Sequence, residues 1–173
     1  MKTDVDYTRV ESPLGTLILA SDGAAMTGAW FDGQRHQPPI GRNWRLSPEL
    51  GILRRAADEL LRYFAGKRTR FDVALAPVGT PFQRAVWSAI AGVPYGATIA
   101  YRELAARAGT PASVRAAGAA TGRNPLSIFI PCHRIVGADG ALTGYAGGLE
   151  RKRALLALER AARIAVAPDR RAA

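Results

Sequence analysis

A helix-start signature at Thr80-Pro81-Phe82-Gln83 divides the chain. A threonine cap, proline at the first helical position and glutamine at N3 satisfy the free N–H groups of a new helix, so a helix is predicted from Pro81 to about Ala91. Before it, the pattern is that of strands. Thr8 to Phe31 carries the apolar stretch Leu17-Ile18-Leu19-Ala20 between turn signals at Ser12-Pro13-Leu14-Gly15 and Ser21-Asp22-Gly23, as an antiparallel sheet requires. Gly33 to Arg45, with Pro38, Pro39 and Gly41, reads as a surface loop in which His36 is solvated. Helical spacing at Leu53, Ala57, Leu60, Leu61 and Phe64 is followed by alternation at Phe71, Val73 and Leu75, read as a half-buried strand.

After the signature the pattern is helical. Pro94-Tyr95-Gly96 makes a turn, and a short helix is expected from about Tyr101 to Ala108, ending at Gly109. Thr110-Pro111 restarts a helix that Gly122 and Asn124-Pro125 terminate, giving a helix-turn-helix candidate. Its second helix, Ala112 to Thr121, is nearly bare of bulk except for Arg115. A minor groove about 6 Å wide admits a helix only if its surface is small and the groove opens, which Ala116, Ala117 and Gly118 permit; close packing between helices explains the same residues equally well. The expected class is mixed α/β (α+β). A sheet-plus-helix subdomain spans 1–78, a mainly helical, winged-helix-like subdomain spans 79–160, and a tail rich in alanine and arginine over 161–173 is expected to fray.

Composition narrows the function classes. The 173 residues include one cysteine and two histidines, so no internal disulfide can form and no structural zinc site or other metal centre is expected. No run reaches the roughly eighteen apolar residues of a membrane helix, and the N-terminus lacks a secretory segment, so a cytoplasmic protein is expected. A formal charge of +10 favours a polyanionic partner, since phosphate contacts release counterions.

The apolar run Ile128-Phe129-Ile130 reads as a buried strand delivering Pro131-Cys132-His133-Arg134 to its end. A lone cysteine is more often inert than nucleophilic, and its neighbours decide. Adjacent side chains on a strand face opposite ways, so Cys132 and His133 cooperate only if the chain turns there or a water links them. On the last helix, from about Leu149, Glu159 shares the apolar face of Leu155 and Leu156, where a carboxylate is costly without a partner. Glu159 is therefore the expected anchor for His133.

Taken together, Asn124-Pro125, Ile130-Pro131-Cys132-His133-Arg134, Gly144-Tyr145-Ala146-Gly147-Gly148-Leu149 and Glu159, with Tyr101 and Arg115 upstream, resemble the O6-alkylguanine-DNA alkyltransferases from about Pro81 to Glu159. The resemblance implies irreversible, single-turnover transfer of an alkyl group, mainly methyl, from guanine O6 in duplex DNA to Cys132, with no cofactor. It implies His133 as a base acting through a water, Glu159 as its orienting group, Tyr101 as donor to the guanine ring and Asn124 as a tie between recognition helix and active-site segment. The target base must leave the stack, and Arg115 would fill the gap from the minor groove. Ala116, Ala117, Gly118, Arg102 and Thr110 are expected to contact DNA, with Tyr145, Ala146 and Gly147 closing over the base. Ala146 stands where some relatives carry serine, and Thr121 where some carry a larger residue, so the lesion range, including O4-alkylthymine, stays open. The protein is expected to act as a monomer. Rival readings are an alkylation-damage binding module, an alkylation-sensing regulator, and a cysteine hydrolase built on Cys132, His133 and Glu159, which turnover of an ester or amide would reveal.

Overall fold

A computed structural model of the chain describes residues 4–166. Three strands, β1 (Val5–Val10), β2 (Leu17–Ser21) and β3 (Met26–Phe31), form the predicted antiparallel meander. β2 is buried along its whole length because it lies inside the sheet and is covered by α1 (Gly51–Phe64). The expected loop 33–45 contributes a fourth strand, β4 (Trp44–Leu46), paired in parallel with β1, so the sheet order is β3-β2-β1-β4. Its proline-rich approach hides it in the sequence, whereas in space Trp44 packs edge-on against Tyr7 with ring centroids 5.6 Å apart.

Helix α1 buries Leu53, Ala56, Glu59, Leu60 and Tyr63, a face turned slightly from the predicted one, so Leu61 points outward. The strand expected over Phe71, Val73 and Leu75 is irregular, with one bridge from Leu75 to Met26. Its backbone is satisfied otherwise: the buried Glu59 carboxylate accepts from Asp72 N at 2.8 Å and Val73 N at 3.4 Å.

Helix α2 (Pro81–Ala91) starts with both hydrogen bonds of the capping box. The two-stranded parallel pair β5 (Ile99–Ala100) and β6 (Ile135–Val136) brackets α3 (Tyr101–Arg107) and α4 (Val114–Gly122). Helix α4 begins at Val114, later than Thr110-Pro111 suggested, because Thr110 to Ser113 is taken up by a turn closed by the bond from Ser113 N to Thr110 O. Its small residues divide between two faces. Ala117, Ala120 and Thr121 are buried, with Trp87 Nε1 of α2 donating to Ala120 O at 2.9 Å, while Arg115, Ala116 and Ala119 face outward. Helix α5 (Leu149–Val166) extends past the start of the expected tail, and residues 167–173 lie outside those described. Among the described residues no helix is long and apolar enough to cross a membrane.

The expected strand at Ile128-Phe129-Ile130 is instead a buried turn. Pro125 to Ser127 line the edge of β3, with Ala29 N donating to Pro125 O and Ser127 N to Ala29 O; the chain then reverses at Ile128. Ile128 has φ +73°, a conformation that strains a β-branched residue and that only a tightly packed surrounding sustains. Three buried apolar residues gave the turn the look of a strand.

Candidate active site

The turn sets up the segment that carries Cys132. Cys132–Arg134 form one turn of 3-10 helix, so Cys132 and His133 are not on opposite faces of a strand. Asn124, just past the end of α4, anchors this segment: its side chain accepts from Leu126 N at 3.0 Å and donates to Ile130 O at 2.8 Å and to Cys132 Sγ at 3.1 Å.

Behind the cysteine lies a buried polar knot. Glu159, with no exposed surface, receives Tyr63 Oη at 2.8 Å, Gly96 N at 2.9 Å and Arg134 through Nε and Nη2, each at 2.9 Å. His133 Nε2 lies 2.7 Å from Glu159 Oε1. Burial alone would raise the Glu159 pKa, but hydrogen bonds from His133 and Arg134 outweigh it and hold the carboxyl at about 2. An ionised carboxylate only accepts, so the proton between the pair sits on His133 Nε2. Burial keeps the imidazole below its ordinary pKa in spite of the carboxylate beside it, so the ring is neutral near pH 7. Its lone pair is then on Nδ1, a buried atom with no partner among the described residues.

The cysteine is a resting thiol. It is 5 % exposed, and burial pushes its pKa up, while the Asn124 hydrogen bond and the Lys152 charge act in the opposite sense. Reaction at the sulfur therefore requires proton removal.

Lys152, absent from the residues picked out by sequence, is fully buried on α5. Its Nζ donates to Ile135 O, to Thr143 O at 2.9 Å and to Gly144 O at 3.2 Å, and desolvation lowers its pKa to about 8. Arg134 and Tyr63 were likewise not singled out. A buried lysine leaves no mark in sequence until its acceptors, all carbonyls of other segments, are known.

A cleft of about 640 Å³ runs between α4 and the 144–149 loop, lined among others by Tyr101, Gly118, Ala119, Gly144, Tyr145 and Ala146, and two of its walls, Tyr101 and Tyr145, feel the charge of Cys132 when it is ionised. Tyr101 Oη donates to Thr143 O at 3.1 Å, and burial raises its pKa, with Cys132 adding in the same direction. Gly144 adopts φ +49°, and at Gly147, which is buried, a Cβ would come within 2.8 Å of the Tyr145 ring and 3.0 Å of Phe31. The loop thus needs both glycines to lie where it does. Arg115, Ala116 and Arg102 are exposed, and Thr110 is half-buried at the helix-turn-helix corner. Ala117 is a correction: it has no exposed surface, because that side of α4 packs into the protein, so it cannot touch DNA.

No group of three or more His, Cys, Asp or Glu side chains is placed to hold a metal among the described residues. Residues 81–161 match the 6-O-methylguanine DNA methyltransferase DNA-binding domain, and residues 5–77 match the ribonuclease-like domain of the same proteins. A methylated-DNA–protein-cysteine methyltransferase of Mycobacterium bovis is 46% identical over 156 residues, covering 90% of this chain and 93% of that protein. One from Methanosarcina barkeri is 44% identical over 153 residues, covering 88% and 96%. The crystal structure of Mycobacterium tuberculosis OGT in complex with DNA superposes with a TM-score of 0.84 at 44% identity, covering 91% of this chain and 94% of that one. The chain belongs to the 6-O-methylguanine DNA methyltransferase family.

Proposed function

We propose that this protein repairs duplex DNA by moving the alkyl group of an O6-alkylguanine onto Cys132 Sγ. The carrying observation is the chain of ionised Glu159, Nε2-protonated His133 and a free Nδ1 lone pair one residue from a cysteine whose sulfur is held by Asn124. The His133 Nδ1 atom, through a water, accepts the thiol proton as sulfur attacks the alkyl carbon in line with O6. One S–C bond forms, the C–O6 bond breaks, and guanine leaves with its charge neutralised by a proton supplied at the ring through Tyr101. The imidazolium then gives up the proton it took, so thiol and alkylguanine become thioether and guanine with no cofactor.

The lesion reaches the sulfur only if its nucleotide is rotated out of the duplex, which costs about a few kcal/mol of stacking. Arg115, exposed on α4 and flanked by Ala116 and Gly118, is suited to occupy the vacated space from the minor groove, with Arg102 and Thr110 on the DNA backbone. Nothing in the site can displace an alkyl group from a thioether, so each molecule acts once. Action as a monomer in the cytoplasm completes the reading.

The test is a duplex carrying radiolabelled methyl at guanine O6. After digestion the label should lie on the peptide containing Cys132, at one methyl per protein, and Cys132→Ala should bind the duplex without acquiring label. Many turnovers per protein, or label elsewhere, would discard this mechanism.

A further inference from the structure

The cleft between α4 and the 144–149 loop has a wall that the helix-turn-helix does not supply. Arg35 and His36, from the loop after β3, line it together with Gly118, Ala119 and Arg123 at the α4 end. Both are exposed, and neither side chain has a partner among the described residues. The loop that carries them is built rather than loose. Gln34, 7% exposed, folds its Oε1 back onto Phe31 N at 2.9 Å and receives Ser127 Oγ at 3.2 Å, while Gly33 N donates to Gln37 Oε1 at 2.7 Å. Arg35 N donates to Ala146 O at 3.1 Å, tying the loop to the segment that closes over the base. His36 is held at φ +66°, a left-handed conformation uncommon for a residue with a side chain. So the N-terminal half reaches the approach to the cysteine through Ser127 and the lid through Ala146, and it sets two unpaired basic or polar side chains at the mouth.

We propose that Arg35 and His36 bind the sugar-phosphate of the everted nucleotide, making the N-terminal subdomain part of the DNA-recognition surface. This rests on the alkyl-transfer reading above. An everted nucleotide carries its phosphates to the mouth of the cleft, whose lining holds Arg35 and Arg123 and no carboxylate. A guanidinium is the side chain best matched to a phosphate, through paired N–H donors. The contact is to backbone, so it adds affinity without reading sequence.

The experiment compares Arg35→Ala with Arg42→Ala, which removes the same charge from an exposed site on the same loop outside the cleft lining. For each, the rate of alkyl uptake is measured from a duplex with a single O6-methylguanine and from a free O6-alkylguanine base. The ratio cancels any loss of folded protein. For Arg35→Ala the duplex-to-base ratio should fall about tenfold, and the slope of log affinity against log salt should shrink by about 0.9, as for one lost phosphate contact. For Arg42→Ala the ratio should stay within about twofold. Equal effects in the two variants, or an unchanged ratio in Arg35→Ala, overturns the proposal. Failure of the unaltered protein to acquire alkyl groups at Cys132 overturns the transfer reading instead, and the two failures are told apart by the label on Cys132.

Discussion

The two sides of Cys132 are built on opposite principles. Behind it, Glu159 collects donors from α1, the 94–96 turn and the Cys132–Arg134 turn, leaving no exposed surface on His133 or Glu159. In front, the cleft is walled by glycines, alanines and two tyrosines together with Arg35, His36 and Arg123. The difference separates two tasks. A base must be held in one tautomer and one orientation, which a saturated, buried network does; an entering nucleotide needs space and exposed backbone, which bulky or paired side chains would remove.

The contrast is broken most severely by Glu159→Ala. It strands the Arg134 guanidinium and leaves Tyr63 and Gly96 without their acceptor, so unfolding free energy in urea should drop by about 3–5 kcal/mol. Acid attacks the same knot without mutation. The Glu159 pKa is about 2 folded against 4.5 ordinarily, so its stabilisation is whole above pH 4.5 and disappears as pH falls toward 2, a loss of about 3 kcal/mol. His133 acts earlier: its folded pKa is depressed, so below about pH 6.5 the unfolded chain takes up a proton that the folded one refuses, and stability declines. Denaturation followed from pH 7 to 3 should trace both steps, and a flat profile would contradict the knot.

On the boundary between the two sides, Lys152→Met removes the ammonium shared by the Ile135, Thr143 and Gly144 carbonyls. Stability should fall by about 2 kcal/mol, and hydrogen exchange should quicken in the 143–148 loop. The smallest effect belongs to the cleft. At Gly118 a Cβ would meet the Tyr101 ring at an ordinary 3.7 Å, so Gly118→Ala should gain about 0.5–1 kcal/mol from helix propensity while weakening duplex binding. Thermal melting and a duplex titration would therefore move in opposite directions.

Local signals were legible in sequence. The capping box at Thr80, the turn glycine at Gly109 with its positive φ, the strand meander and the carboxylate on the apolar face of α5 all depend on neighbours a few residues away. The rest depended on partners far along the chain. The parallel pairing of β4 with β1, the Tyr63 bond to Glu159 across 96 residues and the carbonyls around Lys152 have no periodic trace. The reversal at Ile128 was hidden differently: its apolar residues are buried as a strand's would be, and only the backbone differs.

Pro125 to Ser127 border β3, and the Glu159 carboxylate is held partly by Tyr63 of α1. The sheet and the helical half are therefore stitched together at the same place where the chemistry is prepared. Heat or denaturant meets a joint that both halves share, and loosening the sheet side also loosens the hold on Glu159.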